Sequence, residues 1–276
     1  MLEIILLELH LLHITYLFIM EFVIICITAF GASLLTFFSG FGLGTILTPV
    51  MIIFFPPHEA IALTGIVHLL NNVFKLVLVG KQTNKQVAGR FGIPAIIGSF
   101  IGAYSLVFLS QNLFHFEYQW MGKTMEVTFI KLLVATMMIL FALFEIIPWL
   151  KSLEFSNKYI SIGGFISGFF GGLSGNQGAL RSAFLLRYGL SKEVYIATGV
   201  VIACMIDVTR LSIYFSANAS YNYWQNDKLL ALAALSAFAG AYLGNKLLKK
   251  VTLSFIQTLA SIMIITLALL LAIGVI

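Results

Sequence analysis

The feature that most constrains the fold of this chain is its nearly unbroken apolar character. Hydrophobic residues make up 60% of the 276 residues and charged residues only 10%, whereas a soluble domain carries about 25% charged residues. Almost every window of about 20 residues is apolar enough for a helical membrane span. Strands in a membrane would alternate polar and apolar residues, but residues 256–276 run apolar without alternation. The sequence therefore predicts an all-α integral membrane protein that has no room for a soluble domain.

Ten apolar segments follow one another along the chain. Two of them, 45–56 and 179–190, are too short to span a bilayer, because a helical span needs about 20 residues. Each follows a glycine-rich break, at 39–44 in one case and at 174–178 in the other. We therefore expect one broken or re-entrant helix at each break. The ten segments cover 16–38, 45–56, 59–79, 92–110, 127–149, 159–173, 179–190, 193–216, 229–247 and 252–276.

An internal repeat relates the two halves of the chain at an offset of 134 to 138 residues. Small residues recur by chance in membrane helices, but several matched blocks in order indicate a duplication. We predict an interfacial lead-in at 1–15, a first repeat of about five helical segments at 16–150 and a second at 151–276. The matched blocks are Ser39-Gly40 with Ser174-Gly175, Gly44 with Gly178, Glu59 with Glu193, Thr64-Gly65 with Thr198-Gly199, and 100–104 with 238–242.

The basic residues predict how the repeats are oriented. Five segments per repeat is an odd number, so the two copies should be inverted in the membrane. With both termini outside, the inner loops hold ten of the sixteen Lys and Arg residues, as the positive-inside rule requires. The aromatic stretch 111–126 is then expected as an interfacial helix or belt on the outer face. The inner set is Lys81, Lys85, Arg90, Lys151, Lys158, Arg187, Lys192, Lys246, Lys249 and Lys250.

The two glycine-rich breaks indicate where chemistry would occur. Lipid cannot satisfy an opened backbone, so a broken helix at membrane depth is buried in protein or lines a watery cavity. Inverted repeats with one interrupted helix each are typical of transporters with a site near the midplane. The helix N-termini after Gly44 and Gly178 would each present free N–H groups and partial positive charge, which favours an anion. Alternatively, the glycines only allow tight turns and close packing.

The candidate substrate ligands lie in or beside the breaks. Arg181 is the strongest candidate, because a guanidinium can hold an oxyanion through two parallel hydrogen bonds. A structural ion pair, or contacts with the carbonyls at a helix C-terminus, is the alternative for this arginine. The full candidate set is Arg181, Gln177, Asn176, Ser182, Ser174, Ser39, Thr45 and Asn71.

A polar stripe and a charged pair offer candidates for proton coupling. His68, Asn71, Asn72 and Lys75 share one helical face, which lines a pathway or forms hydrogen bonds between helices. Lys75 is expected to reach the inner interface, and His68 has an ordinary pKa near neutrality. In the second repeat, Asp207 and its i+3 neighbour Arg210 should form a salt bridge. The alternative hypothesis is that Asp207 carries a proton.

Several functional classes find no support in the sequence. The two cysteines, Cys26 and Cys204, lie in apolar runs and suggest neither disulfides nor a metal site. There is no Walker motif for ATP binding, and no cofactor is expected. The net charge of +5 fits cytoplasmic loops better than nucleic-acid binding. The expected partners are membrane lipid and a small anionic substrate, and a homo-oligomer stays open.

The doubled pattern resembles the TauE/SafE sulfite exporter family of membrane permeases over about residues 18–275. The first copy reads Gly40-Phe41-Gly42-Leu43-Gly44 with Pro49 in the short helix, close to the G-x-G-G-G…P-x-L pattern of the family. The second copy reads GNQG at 175–178, with Ala183 where the pattern has proline. The resemblance implies a multi-pass protein of a bacterial inner membrane that transports sulfite or small organosulfonates, with export as the common direction.

Three functions remain in competition at this point. The first is a secondary transporter, coupled to an ion gradient such as protons, in which the two halves rock around the breaks. The second is an intramembrane serine hydrolase with Ser39 or Ser174 as nucleophile and His68 as base. The third is an anion channel or a membrane scaffold.

Overall fold

The part of the chain that the structure describes is a bundle of α-helices with one β-hairpin. The computed structural model describes residues 2–39, 42–111, 114–120, 122–151, 153, 155–217, 223–247 and 253–276. The strands are β1 (His115–Trp120) and β2 (Lys123–Thr128). The helices are α1 (Leu2–Ser39), α2 (Gly44–Ile52), α3 (Pro57–Val79), α4 (Lys85–Leu109), α5 (Phe129–Ile146), α6 (Pro148–Lys151), α7 (Ile160–Ser174), α8 (Gly178–Leu185), α9 (Lys192–Ala217), α10 (Asp227–Leu247) and α11 (Leu253–Ala272).

Within the described ranges, six helices are long and apolar enough to cross a membrane. Apart from the short α6, the helices correspond one by one to the ten apolar segments. The prediction of an all-α membrane protein is confirmed. Residues 2–15 of the expected lead-in belong to α1, which runs without interruption to Ser39.

Of the two alternatives predicted for 111–126, the helix is wrong, because this part of the chain contains an antiparallel hairpin. The aromatic belt on the outer face stays a prediction. His115 lies opposite Thr128, and Trp120 lies opposite Lys123. Phe, Tyr, Trp, Val and Thr favour strands, and Gly122 supplies a positive φ of 76° at the turn. The hairpin is fixed to the end of the chain, where the Tyr118 hydroxyl donates to the carbonyl oxygen of Ile273 over 2.6 Å.

The helix contacts follow a pattern that is preserved when the two repeats are exchanged. The extensive α4–α7 contact becomes the α10–α1 contact under this exchange, and α3–α9 and α5–α11 map onto themselves. The hairpins α1–α2 and α7–α8 are likewise exchanged. This pattern supports the internal duplication. The inverted orientation of the copies in the membrane stays a prediction.

Glycines bring the backbones of α4 and α7 into direct contact. A Cβ atom on Gly98 or Gly102 of α4 would collide with the carbonyl groups of Phe165 and Phe169 on α7. From the other side, a Cβ atom on Gly168 would collide with the carbonyl group of Ala95. Gly240 of α10 meets the carbonyl group of Phe30 on α1 in the same way. Small residues stabilise membrane helix pairs by allowing this close approach.

Replacing Gly168 by alanine should destabilise the protein, and the same change at Gly31 should not. The new methyl group at 168 would force α4 and α7 apart, which costs about 1–3 kcal/mol. Gly31 also lies within a long apolar helix, but no atom lies within 4 Å of a Cβ built there. Alanine at 31 should therefore be neutral or stabilising by up to about 1 kcal/mol, through helix propensity. Thermal unfolding in the same detergent compares the two variants, and an equal loss in both would contradict the glycine contact.

Candidate functional site

The two glycine-rich breaks meet inside the bundle. The first separates α1 from α2, and the second separates α7 from α8. A Cβ atom on Gly44 would lie 3.5 Å from the carbonyl oxygen of Gly175. Gly175 ends α7 with a left-handed φ of 80°, a conformation that glycine adopts without strain. Residues 40 and 41 of the first break lie outside the described residues, and the contact with the second break is made by Gly44 at the start of α2.

A narrow cleft opens beside the first break. With its open side included, it encloses about 400 Å³ of space between atoms. It lies between the end of α1, the first break, the C-terminal half of α3, the short α8 and the first two turns of α9. The lining residues are Thr36, Phe37, Gly42, Leu43, His68, Asn72, Lys75, Arg181, Tyr195, Ile196, Gly199 and Val200.

The charge of the lining is positive. Arg181, Lys75 and His68 are 6%, 4% and 2% exposed, and all three face the cleft. Within the described part of the chain, the lining contains no acidic side chain. A charged basic side chain in a buried, weakly screened space attracts an anion far more strongly than it would at a protein surface.

Lys75 corrects the sequence-based prediction that its ammonium group would reach the inner interface. It is buried, and its Nζ lies 5.4 Å from the centre of the Phe37 ring. An aromatic face attracts a cation through its quadrupole, so Phe37 holds the ammonium group at the cleft. The seven-residue spacing put Lys75 and His68 on one helical face, but it did not show whether the ammonium group turns inward or reaches water.

Asp207 forms a buried polar centre directly behind the cleft. Its Oδ1 accepts from Arg210 Nε at 3.0 Å and lies 2.9 Å from Arg210 Nη2, which confirms the predicted salt bridge. Gln177 Nε2 lies 3.4 Å from the same oxygen. On the other oxygen, Oδ2, His68 Nδ1 lies at 2.5 Å and Asn72 Nδ2 at 3.3 Å. The carboxylate is fully buried and joins α3, α9 and the residue before α8.

Glycines make room for the two arginines. A Cβ atom on Gly199 would lie 3.4 Å from Arg181 Nε, and one on Gly65 would lie 3.3 Å from Arg210 Cζ. Gly65 on α3 and Gly199 on α9 are matched in the internal repeat. Each therefore makes room for a guanidinium at the same position of its own copy, Arg210 in the first and Arg181 in the second. Neither relation was visible in the sequence, because it depends on which helices face each other.

Of the predicted site residues, Arg181 and His68 line the cleft, and Gln177 and Asp207 lie directly behind it. Four others bond within the scaffold. Ser174 donates to the carbonyl oxygen of Phe170, Thr45 to that of Gly42, Ser182 to that of Gly178, and Asn176 to Ser174 Oγ.

The last two predicted residues, Asn71 and Ser39, are not among the cleft residues that the structure describes. Asn71 is buried and accepts from Ser33 Oγ at 3.0 Å, so it joins α3 to α1. The side chain of Ser39 lies outside the described residues. Tyr195 was missed by the sequence analysis; its hydroxyl donates to Ser182 Oγ at 2.7 Å and connects the cleft to α8.

Comparison with known proteins places the chain in a family. No curated protein and no solved structure matches it significantly. The model of the family described as "Sulfite exporter TauE/SafE" matches residues 25–271, which include both breaks and all the cleft residues named above. The match spans nearly the entire sequence, and the resemblance inferred from the two breaks is thereby confirmed: the chain belongs to the TauE/SafE sulfite exporter family.

Proposed function

We propose that this multi-pass membrane protein is a secondary transporter for a small anion such as sulfite or an organosulfonate. The observation that carries the proposal is the buried cleft in which Arg181 and Lys75 face one space beside a broken helix. Arg181 offers a planar fork for two oxygens, and Lys75 offers a compact charge for a third. A sulfur oxyanion presents several oxygens around one centre, which matches such a set of donors.

The position of the cleft supports an alternating-access cycle. Lys75 lies near the end of α3, and Tyr195 near the start of α9. Lys81, just after α3, and Lys192, the first residue of α9, mark these two ends, and the positive-inside rule assigns both to the cytoplasm. On the opposite side, the contact between Gly44 and Gly175 and the polar centre around Asp207 close the passage. We therefore infer an inward-facing state, with N- and C-termini outside a bacterial inner membrane, that accepts an anion for export.

Ligand binding and flux test this proposal together. The purified protein is heated with sulfite, sulfate, an organosulfonate or acetate, because a ligand at a hundred times its Kd stabilises the folded state by about 2.7 kcal/mol. We expect stabilisation by one or more sulfur oxyanions and less by acetate, followed by saturable uptake of the stabilising anion into proteoliposomes. Absence of binding by all sulfur oxyanions would contradict the substrate class.

The competing functions predict different results in the same preparations. Flux that rises linearly with concentration, without saturation, would favour an anion channel. Labelling by a serine-reactive probe would favour the hydrolase. Ser174, one of its two candidate nucleophiles, donates to a backbone carbonyl oxygen in its own helix, which gives the hydrolase no support at that position.

A further inference from the structure

The two nitrogens of His68 lie in different environments. Nδ1 is 2.5 Å from the Asp207 carboxylate, which can only accept a hydrogen bond. The hydrogen on the neutral ring is therefore assigned to Nδ1. Nε2 lies on the side of Gly42, where a Cβ atom would be only 2.8 Å away, and both residues line the cleft. A neutral His68 thus presents a lone pair at Nε2 on the side of the anion.

The lone pair on Nε2 disfavours binding of an oxyanion beside it. Both are acceptors and repel each other, whereas the protonated ring would donate from Nε2 and add a third positive charge to the cleft. Anion and proton therefore favour each other's binding, and thermodynamic reciprocity makes the effect equal in both directions. The other groups around the ring are Lys75 and Asn72 from α3, Arg181 from α8, Asp207 and Arg210 from α9, and the backbone of Gly42 from the first break.

We infer that each anion is bound together with one proton on Nε2 of His68, with Asp207 as a positioning residue that holds Nδ1–H. This inference deepens the proposed function and rests on it. Asp207 itself is unsuited to carry the proton, because both of its oxygens are already engaged by donors and the carboxylate has no exposure. The proton and the anion then cross together, and the transported charge is one unit more positive than that of the anion alone.

Methanesulfonate and sulfate are suitable probes because their own charge is constant between about pH 5.5 and 8.5, the range in which histidine ordinarily titrates. Calorimetric titration in two buffers with different ionisation heats gives both the Kd and the number of protons taken up. For the wild-type protein we expect up to one proton per anion, and an affinity that falls about tenfold per pH unit on the alkaline side of the His68 titration. Wild-type binding without proton uptake at every pH would overturn the inference while leaving the proposed function intact.

Two variants locate the proton. His68→Gln can still donate to Asp207 but does not titrate, so it should bind the probe weakly, with no proton uptake and no dependence on pH. Lys75→Arg keeps a permanent charge and should retain the wild-type proton uptake. Proton uptake that persists in His68→Gln, or disappears in Lys75→Arg, would overturn the assignment to His68.

Two further outcomes are also decisive. Should His68→Gln fail to fold, proton uptake by Lys75→Arg equal to that of the wild type supports the inference, and loss of uptake overturns it. Wild-type protein that binds neither probe nor sulfite would remove the proposed function, and the linkage with it.

Discussion

Replacing Arg181 by alanine is expected to weaken anion binding at least about 100-fold and to abolish transport, while the protein still inserts and folds. A hydrogen bond to a charged group contributes about 1.5–3 kcal/mol, and the guanidinium can supply two of them to one oxyanion. Each 1.4 kcal/mol corresponds to a factor of ten in affinity. Arg181→Lys keeps the charge and loses the planar fork, so it should recover only part of the affinity. Titration of the purified variants with sulfite gives the ratio of Kd values.

Arg90→Ala is the matched control for that series. Arg90 is exposed at the surface of α4 and does not belong to the cleft, so its removal takes the same charge from the protein without changing the lining. We expect wild-type affinity from this control. An Arg181→Ala protein that binds sulfite as tightly as Arg90→Ala would assign Arg181 to the scaffold.

Replacing Asp207 by asparagine is expected to have the largest effect on stability, a loss of about 3–5 kcal/mol. Asparagine has nearly the same shape but leaves the fully buried charge of Arg210 without its counter-charge, and breaking a buried pair from one side has that cost. Glu193→Gln on the same helix is the control, because Glu193 is exposed. Resistance to unfolding by increasing amounts of SDS in mixed micelles compares the two variants.

A second replacement tests the cause of that loss. The double variant Asp207→Asn, Arg210→Gln removes both charges, and removal of a whole buried pair can be nearly neutral. We expect it to recover most of the lost stability but no transport, because the orientation of His68 would still be altered. A double variant that is less stable than Asp207→Asn would contradict the account of an uncompensated charge.

The sequence was sufficient to predict the features that follow from the inability of lipid to form hydrogen bonds with the backbone. A backbone opened in hydrocarbon needs partners, so the breaks at 39–44 and 174–178 marked the cleft, and Arg181 could be placed beside it. Lys75 could not be placed, because a lysine near a helix end reaches water or turns inward according to its neighbours, and Phe37 is distant in sequence. The hairpin at 115–128 was not predicted, because its aromatic residues suit a strand as well as an interfacial helix.

The packing of one helix against another was also beyond the sequence. The i+3 spacing predicted the pair of Asp207 with Arg210, whereas the contact of Asp207 with His68 joins residues 139 positions apart. Nothing local in the chain specifies that α3 and α9 face each other. Long-range contacts of this kind decide which polar residues form the site.

The glycine contacts between α4 and α7, and between α1 and α10, bear on which parts of the molecule can travel as rigid units. Each of these pairs takes one helix from the first repeat and one from the second. A rotation of one entire repeat against the other, as anticipated from the duplication, would break both of these close backbone contacts, which we call the two seams. We therefore expect the mobile bodies to be composite, with each seam kept intact and the displacement concentrated where the cleft separates Lys75 on α3 from Tyr195 on α9.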